Sequence, residues 1–526
     1  MRHIKNKSKQ HQRTSTPKKK AHKAAKNTAT PISNKISTLT FALILLAGIS
    51  FKIYKADHTG ILYDESFSLA HFGKSVQAAL TSYVNPNNNH VINSILICFA
   101  RKHFSSYEHF IRIHSMMFGV LFSFSAAYII HKTVESKILK TTLLGLVLFN
   151  WFAFDLSFLA RGYSIAIGAI YAGIALILGL LSNKIKYAYC WVPIAAVVLM
   201  NFLALGSMLS CLFVLFSVNV IFILFYSSYV FRDAPNRRNP VLLNLISIPS
   251  STFVLLYLLY KELYKDILNA RSDFGMIPFG TLMKQLLVDT MAGQDNNFHL
   301  IVYSVFVLLT GLSMLFGIYQ FCLKTKNGTW RLYLKLDDSG VFIFLTTAIA
   351  ILTMFVYRVL LNLSLGFARN AVFLLPLVLI SAGILLDKFW KNLKNNKLSG
   401  PAIRGCIIVV TILLTLLNLP SAHAVEIHDW DRQSISGPLL HRLKDTNPDK
   451  IWKIRLTKET RYLTWPLYYY MQFGYKFQIV RSRNWDVAIL YKTDKPARAI
   501  YLDEDYFSKF NCCVIVNPQN AISSGQ

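Results

Sequence analysis

Two adjacent carboxylates, Asp64 and Glu65 in the stretch YDES at residues 63–66, follow the first long apolar segment by only about ten residues. Charged side chains at a membrane boundary are costly unless they face water, a cation or a substrate, so this pair marks a candidate functional site. A structural reading stands beside it. Asp64 can N-cap a helix that begins near Ser66, with Glu65 at the favourable positive end of the helix dipole. The two residues alone leave both readings open.

The elements that must position the pair follow from composition. The chain has 526 residues, 53% hydrophobic and only 16% charged, and several stretches of about 20 residues are nearly uncharged. This excludes one soluble domain and predicts a polytopic α-helical membrane protein. The net charge of +30 would suggest nucleic acid in a soluble protein. Here the Lys and Arg residues concentrate in the N-terminal tail and in short connections, where they report orientation, and no nucleic-acid partner is expected. Seven cysteines show no zinc spacing.

Residues 1–35 are rich in Lys, Ser, Thr, Asn and His, cannot bury a core, and are expected to form a disordered basic cytoplasmic tail. The first span, 36–54, reads as an anchor because it lacks a small-residue cleavage site. Beyond YDES, Leu69, Phe72, Val76, Leu80 and Tyr83 recur at helical steps, and Val91, Ile92, Ile95, Leu96 and Phe99 form a second apolar face. Both pieces are short for a span and are expected to lie as amphipathic helices at the outer interface. The turn-prone NPNNNH of residues 85–90 separates them, and its His90 either touches a substrate or caps the second helix.

Further spans are predicted near 107–131, 138–156, 162–182, 187–204, 207–231, 241–261, 299–323, 340–361, 370–387 and 402–420, about eleven in all with the first. Alternate connections carry the positive charge: Lys132, Lys137 and Lys140; Lys184 and Lys186; Arg232, Arg237 and Arg238; Lys324 to Lys335; Lys388 to Lys397. The 55–106 loop, the 262–298 loop and the C-terminal segment then fall on the other, outer side. The 262–298 loop carries Arg271, Asp273, Gly275 and Pro278 and is long enough to act as a lid or to hold an interfacial helix. Residues 36–420 thus form the transmembrane domain. Residues 421–526 change character: IWKIRL, YKFQIV, DVAILY and CCVIV alternate with turns and predict a small α/β or α+β extramembrane domain.

The order of features resembles the GT-C membrane glycosyltransferases, in particular the branch with protein O-mannosyltransferases and the lipid A aminoarabinose transferase. Four stretches carry the resemblance: YDES; FIRIHSMMFGVLF at 110–122; LSFLARGYSIA at 156–166; and ARNAVFLLPLVLISAGI at 368–384. The chain departs from the family pattern at His90-Val91-Ile92, where His-Pro-Pro is frequent, at Phe158-Leu159 and at Asn370.

The resemblance implies transfer of a sugar from a polyprenyl-monophosphate donor in the bilayer to a hydroxyl of a glycan, lipid or protein acceptor on the outer face, with inversion. It assigns Asp64 as general base and Glu65 as a second catalytic carboxylate, and it makes Arg112, Arg161 and Arg369, with Arg271 and Lys102, candidates to hold the donor phosphate. For each arginine the alternative is interfacial snorkelling or pairing with a neighbouring acid. Asp155 is a support residue in this scheme, most simply as the partner of Arg161. No cofactor is required with certainty, and a divalent metal at Asp64 and Glu65 is compatible with the resemblance. A multispan transporter or flippase is the rival class, but such proteins tend to carry internal repeats and ionisable residues at span centres, which the sequence does not display. A ligase using a diphosphate-linked polymer is a second rival, separable by the donor it accepts.

The charge alternation generates a topology test. Reporter fusions after Lys397 and after Asn511 are expected to fall in opposite compartments, the first cytoplasmic and the second extracytoplasmic, and the same compartment for both would overturn the eleven-span assignment.

Overall fold

The computed structural model describes residues 31–81, 90–182, 191–233, 249–254, 257–258, 281, 301, 304–308, 310–312, 339–357, 371–393, 400–423, 435–457, 460–481, 485–491, 500–501 and 512–517. Arg271, Arg369, the 262–298 loop apart from Thr281, and most of the predicted spans 241–261 and 299–323 lie outside these residues.

The chain is mostly helical. The first span is α1 (Pro31–His58), which ends four residues before the carboxylate segment. There α2 (Tyr63–His71) begins, followed by α3 (Val76–Thr81) and α4 (Val91–Phe104). The long helices continue with α5 (Ile113–Thr133), α6 (Lys137–Phe149), the short α7 (Trp151–Leu156), α8 (Gly162–Ser182), α9 (Trp191–Ser207) and α10 (Leu212–Asp233). After them come α11 (Ser339–Phe355), α12 (Leu374–Leu393) and α13 (Gly400–His423). Among the described residues three helices are long and apolar enough to cross a membrane, Lys35–His58, Phe110–Thr133 and Gly162–Leu181. Shorter apolar helices lie at Ile194–Ser207, Leu209–Phe225, Ser339–Phe355 and Pro401–Leu417.

Two departures from the sequence reading shape the site. The predicted span 138–156 breaks at Asn150, whose side-chain oxygen accepts the Ala153 N–H at 3.1 Å and so starts α7 as a separate helix. The continuous helix expected from Leu69 to Tyr83 is cut by a turn at Phe72–Lys74, where a Cβ on Gly73 would lie 2.6 Å from Ile97 of α4. Both breaks return the chain to one end of the bundle. The C-terminal ends of α1, α6 and α9 and the N-terminal ends of α5 and α8 meet there. At the opposite end, Asp387 of α12 accepts the Glu135 and Ser136 N–H groups at 3.0 and 2.9 Å and pairs with Lys391 at 3.2 Å. Two of the basic connections thereby come together on a single carboxylate.

The C-terminal part adds α14 (Ser436–Thr446), α15 (Thr464–Met471) and five strands: β1 (Trp452–Leu456), β2 (Phe477–Val480), β3 (Val487–Tyr491), β4 (Ile500–Tyr501) and β5 (Cys512–Val516). The strand order is β2-β1-β3-β5-β4. Parallel pairs flank β1, with Ile454 opposite Ile479 and Val487, and β5 runs antiparallel to both neighbours. The four strand-like runs of the sequence are four of these strands.

This domain docks on the segment that follows α1. The Tyr470 hydroxyl accepts the Ile61 N–H at 3.0 Å, Tyr469 donates to the Glu108 carbonyl, and the Ser436 hydroxyl donates to the Ile61 carbonyl at 3.3 Å. Gly437 permits the approach, since a Cβ there would lie 2.5 Å from the Tyr470 hydroxyl and 3.2 Å from Gly60 Cα. The Glu108 carboxylate also meets His441 Nε2 at 3.1 Å and the Tyr475 hydroxyl at 3.3 Å.

The hydrogen bond to Glu108 raises the His441 pKa, against burial and Lys444, and Asp445 adds to the rise. Burial alone would raise the Glu108 carboxyl, but His441, His109 and Tyr475 together hold it below its ordinary value. A raised histidine contributes its stabilisation below its ordinary value of 6.5 and loses it as pH climbs through the raised one. A lowered carboxylate contributes above 4.5 and loses its share as pH falls through the lowered value. Docking is therefore expected to be tightest between pH 4.5 and 6.5. Protection of α14 and α15 against hydrogen exchange, taken relative to the intrinsic rate at each pH, should be greatest in that window and fall above it, and Glu108→Gln should flatten the profile.

Candidate active site

The site is built on Glu65 rather than around it. Leu62 is extended, with φ −82° and ψ 161°, and its N–H is accepted by Glu65 Oε2 at 2.9 Å. This is the reach-back half of a capping box. The helix thus begins at Tyr63, and the residue that satisfies its first amide is Glu65, not Asp64 as the capping alternative would have it. Arg112 closes on the same carboxylate as a two-pronged fork, Nε to Oε1 at 2.8 Å and Nη2 to Oε2 at 2.5 Å. The Ala160 N–H donates to Oε1 at 2.7 Å. Four donors occupy a fully buried carboxylate, two on each oxygen.

The guanidinium is equally complete. Its remaining N–H groups donate to the carbonyls of Ala56 at 2.9 Å, Thr59 at 2.7 Å and Gly60 at 3.0 Å. All five donors of Arg112 are taken by protein, and the side chain is 0% exposed. In this arrangement the donors of Arg112 and the acceptor positions of Glu65, both expected from the sequence to meet a substrate, are all engaged within the protein.

Asp64 points elsewhere. One residue along a helix is a turn of about 100°, enough to bring its carboxylate to the edge of the buried face. Its side chain is 19% exposed, with Oδ2 3.7 Å from Arg161 Nη2. Arg161 also donates to the Ser68 hydroxyl at 3.2 Å and the Asp64 carbonyl at 3.4 Å. The turn that carries Arg161 is pinned through both peptide units that meet at Ala160: its N–H binds Glu65, and its carbonyl accepts Asn93 Nδ2 at 3.0 Å. Asn93 is oriented in turn by His114 Nε2 at 2.8 Å. Asn93 and His114 carry no sequence signal of this role, because a polar residue on a buried helix face is readable only once its partner is placed.

His90 takes the N-cap position of α4 without a side-chain cap bond. Its Nδ1 donates to the Ser207 carbonyl at 2.7 Å, tying α4 to the end of α9. Gly162 makes room for that contact, since a Cβ there would meet the Ser207 carbonyl and come within 2.6 Å of the His90 ring. Lys102 lies exposed on the last turn of α4. Asp155 pairs with Lys55 of α1, at 2.5 Å with both side chains buried. Three residues before Lys55, Lys52 is buried too, donates to the Ser123 hydroxyl at 2.9 Å and lies 4.6 Å from the Phe122 ring centre. The i, i+3 spacing of the two lysines was visible in FKIYKADH, but it reads equally well as the basic flank of a span.

A cleft of about 380 Å³ opens where α14 faces the end of α1, lined by Asp57, His109, His441 and Asp445 among others. None of the sequence-derived site residues lines it. Burial and the Arg112 charge push the His109 pKa down to about 4, which leaves that ring neutral near pH 7. Among the described residues no group of three His, Cys, Asp or Glu side chains is arranged to hold a metal ion.

The clamp and the open carboxylate differ in what their loss should do. Glu65→Gln and Arg112→Lys each leave a buried charge or donor unmatched, and breaking such a pair typically costs about 3–5 kcal/mol. Thermal unfolding in detergent or nanodiscs should show both variants strongly destabilised, while Asp64→Asn keeps the wild-type melting temperature. Equal stability of Glu65→Gln and wild type would mean that the clamp does not hold the site.

No protein-family model and no curated protein matches the chain. Solved structures do. The apo structure of ArnT from Cupriavidus metallidurans is similar at 12% identity over 91% of this chain and 98% of that one, with a TM-score of 0.48. The same protein bound to undecaprenyl phosphate is similar at 11% identity, 90% and 97% coverage and a TM-score of 0.45. The apo oligosaccharyltransferase of Archaeoglobus fulgidus is similar at 10% identity, 87% and 69% coverage and a TM-score of 0.43.

Proposed function

We propose that the chain is a membrane glycosyltransferase that moves a sugar from a polyprenyl-monophosphate donor to an acceptor hydroxyl on the extracytoplasmic face, with Asp64 as general base. The observation that carries the reading is the division of labour within YDES. Glu65 and Arg112 satisfy one another and the backbone, while Asp64, on the next helix position, is held half-open beside Arg161. A carboxylate that is fixed but not saturated is what a general base requires. The four-stretch resemblance supplies the donor class.

In this scheme Asp64 accepts the proton of the acceptor hydroxyl as its oxygen attacks the anomeric carbon. The anomeric C–O bond to phosphate breaks with inversion, and the polyprenyl phosphate departs with the electron pair. Arg161 orients Asp64 and offers positive charge where the leaving phosphate develops negative charge. Arg161, Arg369, Arg271 and Lys102 are the candidates for holding the donor phosphate, with Arg112 read as the partner of Glu65. Glu65 acts as a positioning residue. His90 and Asp155 keep α4 and α7 in place through Ser207 and Lys55.

Asp64→Asn should lower transfer of labelled sugar from polyprenyl monophosphate by about 10² to 10⁴-fold in purified, thermally intact protein. Wild-type transfer by this variant would remove Asp64 as the base. Asp155 would not replace it, because its carboxylate is buried against Lys55.

A further inference from the structure

The half-buried side of α2 carries more than Asp64. At about 100° per residue, Ala70, Tyr63, Phe67, His71 and Asp64 follow one another across a single arc of the helix, whereas Glu65, Ser66, Ser68 and Leu69 are buried. The aromatic members of that arc form a ladder. Tyr63 and Phe67 stack at 5.8 Å between ring centres, and Phe67 and His71 lie 4.2 Å apart. The C-terminal domain completes the arrangement with Trp465 of α15, whose ring stands 6.4 Å from Phe67 at 87° and 5.2 Å from His71 at 71°. All four rings are half-buried.

The result is a corner of two aromatic walls at nearly a right angle, one from each part of the molecule, with a carboxylate at its edge. Flat rings interrupted by a few polar groups suit a ligand with one apolar face and a polar rim. A pyranose ring has that form: its axial C–H bonds make a face that lies on an aromatic ring, and its hydroxyls project around the edge. An acyl chain would be better met by a continuous aliphatic groove, and a membrane-facing ring belt would not end on Asp64 or be closed by a residue of the sheet-bearing domain.

We propose that the Tyr63–Phe67–His71 ladder and Trp465 form the acceptor subsite, and that the acceptor is a saccharide whose ring stacks in this corner and turns one hydroxyl toward Asp64. This rests on the transferase reading and narrows its acceptor to a glycan. Burial and then the Lys74 charge lower the His71 pKa, so His71 meets the sugar edge as a neutral ring. The docking of Tyr470 on Ile61 sets where Trp465 stands and so belongs to the same subsite.

The test is binding without donor, which separates this inference from the chemistry of transfer. Full-length protein in nanodiscs is presented with methyl β-D-glucoside, methyl β-D-galactoside, methyl β-D-mannoside, N-acetylglucosamine and a Ser/Thr peptide, and contacts are read by saturation-transfer NMR. At least one saccharide should bind, with the strongest transfer to the C–H protons of one ring face. Trp465→Ala should weaken that binding about tenfold, and Trp465→Phe should restore most of it. The inference is overturned if no saccharide shows binding that Trp465→Ala reduces, if the peptide alone binds, or if Trp465→Ala and Phe67→Ala change only the insertion of the protein into lipid vesicles. Saccharide binding without transfer by the wild type would instead remove the transferase reading and leave the subsite standing.

Discussion

The geometry of this protein depends on one buried ion pair. Arg112 and Glu65 bring together the end of the first span, the start of α2, the start of α5 and the Ala160–Arg161 turn, and every hydrogen-bonding position of both groups is matched. Taking two charges out of water is expensive, and only this degree of satisfaction makes the arrangement tolerable. The same completeness fixes α2 in rotation. With Glu65 held inward, the pitch of the helix alone determines that Asp64 meets Arg161 at the edge and that Phe67 and His71 look outward.

Acidic residues are scarce, 26 against 56 Lys and Arg, and the buried ones described here each hold structure together. Glu65 binds Arg112, Asp155 binds Lys55, and Asp387 gathers two backbone amides and Lys391 at the far end of the bundle. Against that pattern, Asp64 stands out by being only loosely paired. Burial and hydrogen bonding keep Glu65, Asp155 and Asp387 from contact with solvent, whereas the Asp64 side chain is partly exposed.

The sheet-bearing domain packs directly on the segments that flank the clamp. Tyr469, Tyr470, His441 and Tyr475 all bind the segments on either side of the clamp, at Ile61 and Glu108. Glu108 is the hinge of this contact, because its carbonyl and its carboxylate are both engaged by the domain.

Much of this was determined locally and was legible in the sequence. Apolar length pointed to the long helices, strand-like runs pointed to β1, β2, β3 and β5, and the carboxylates beside the first span marked Asp64 and Glu65 together. Local chemistry also hid the break at Asn150 and the turn at Phe72–Lys74, since a capping side chain and a close approach by Ile97 count for little in a window of hydrophobicity. What only the tertiary structure decided was the meaning of neighbouring residues. Asp64 and Glu65 are chemically near-identical and adjacent, and the difference between them comes from Arg112, 47 residues away, and Ala160, 95 residues away. Asp155 likewise takes its role from Lys55 across 100 residues. A carboxylate's function is set by the donors that reach it, and those donors are brought by packing, which no local spacing encodes.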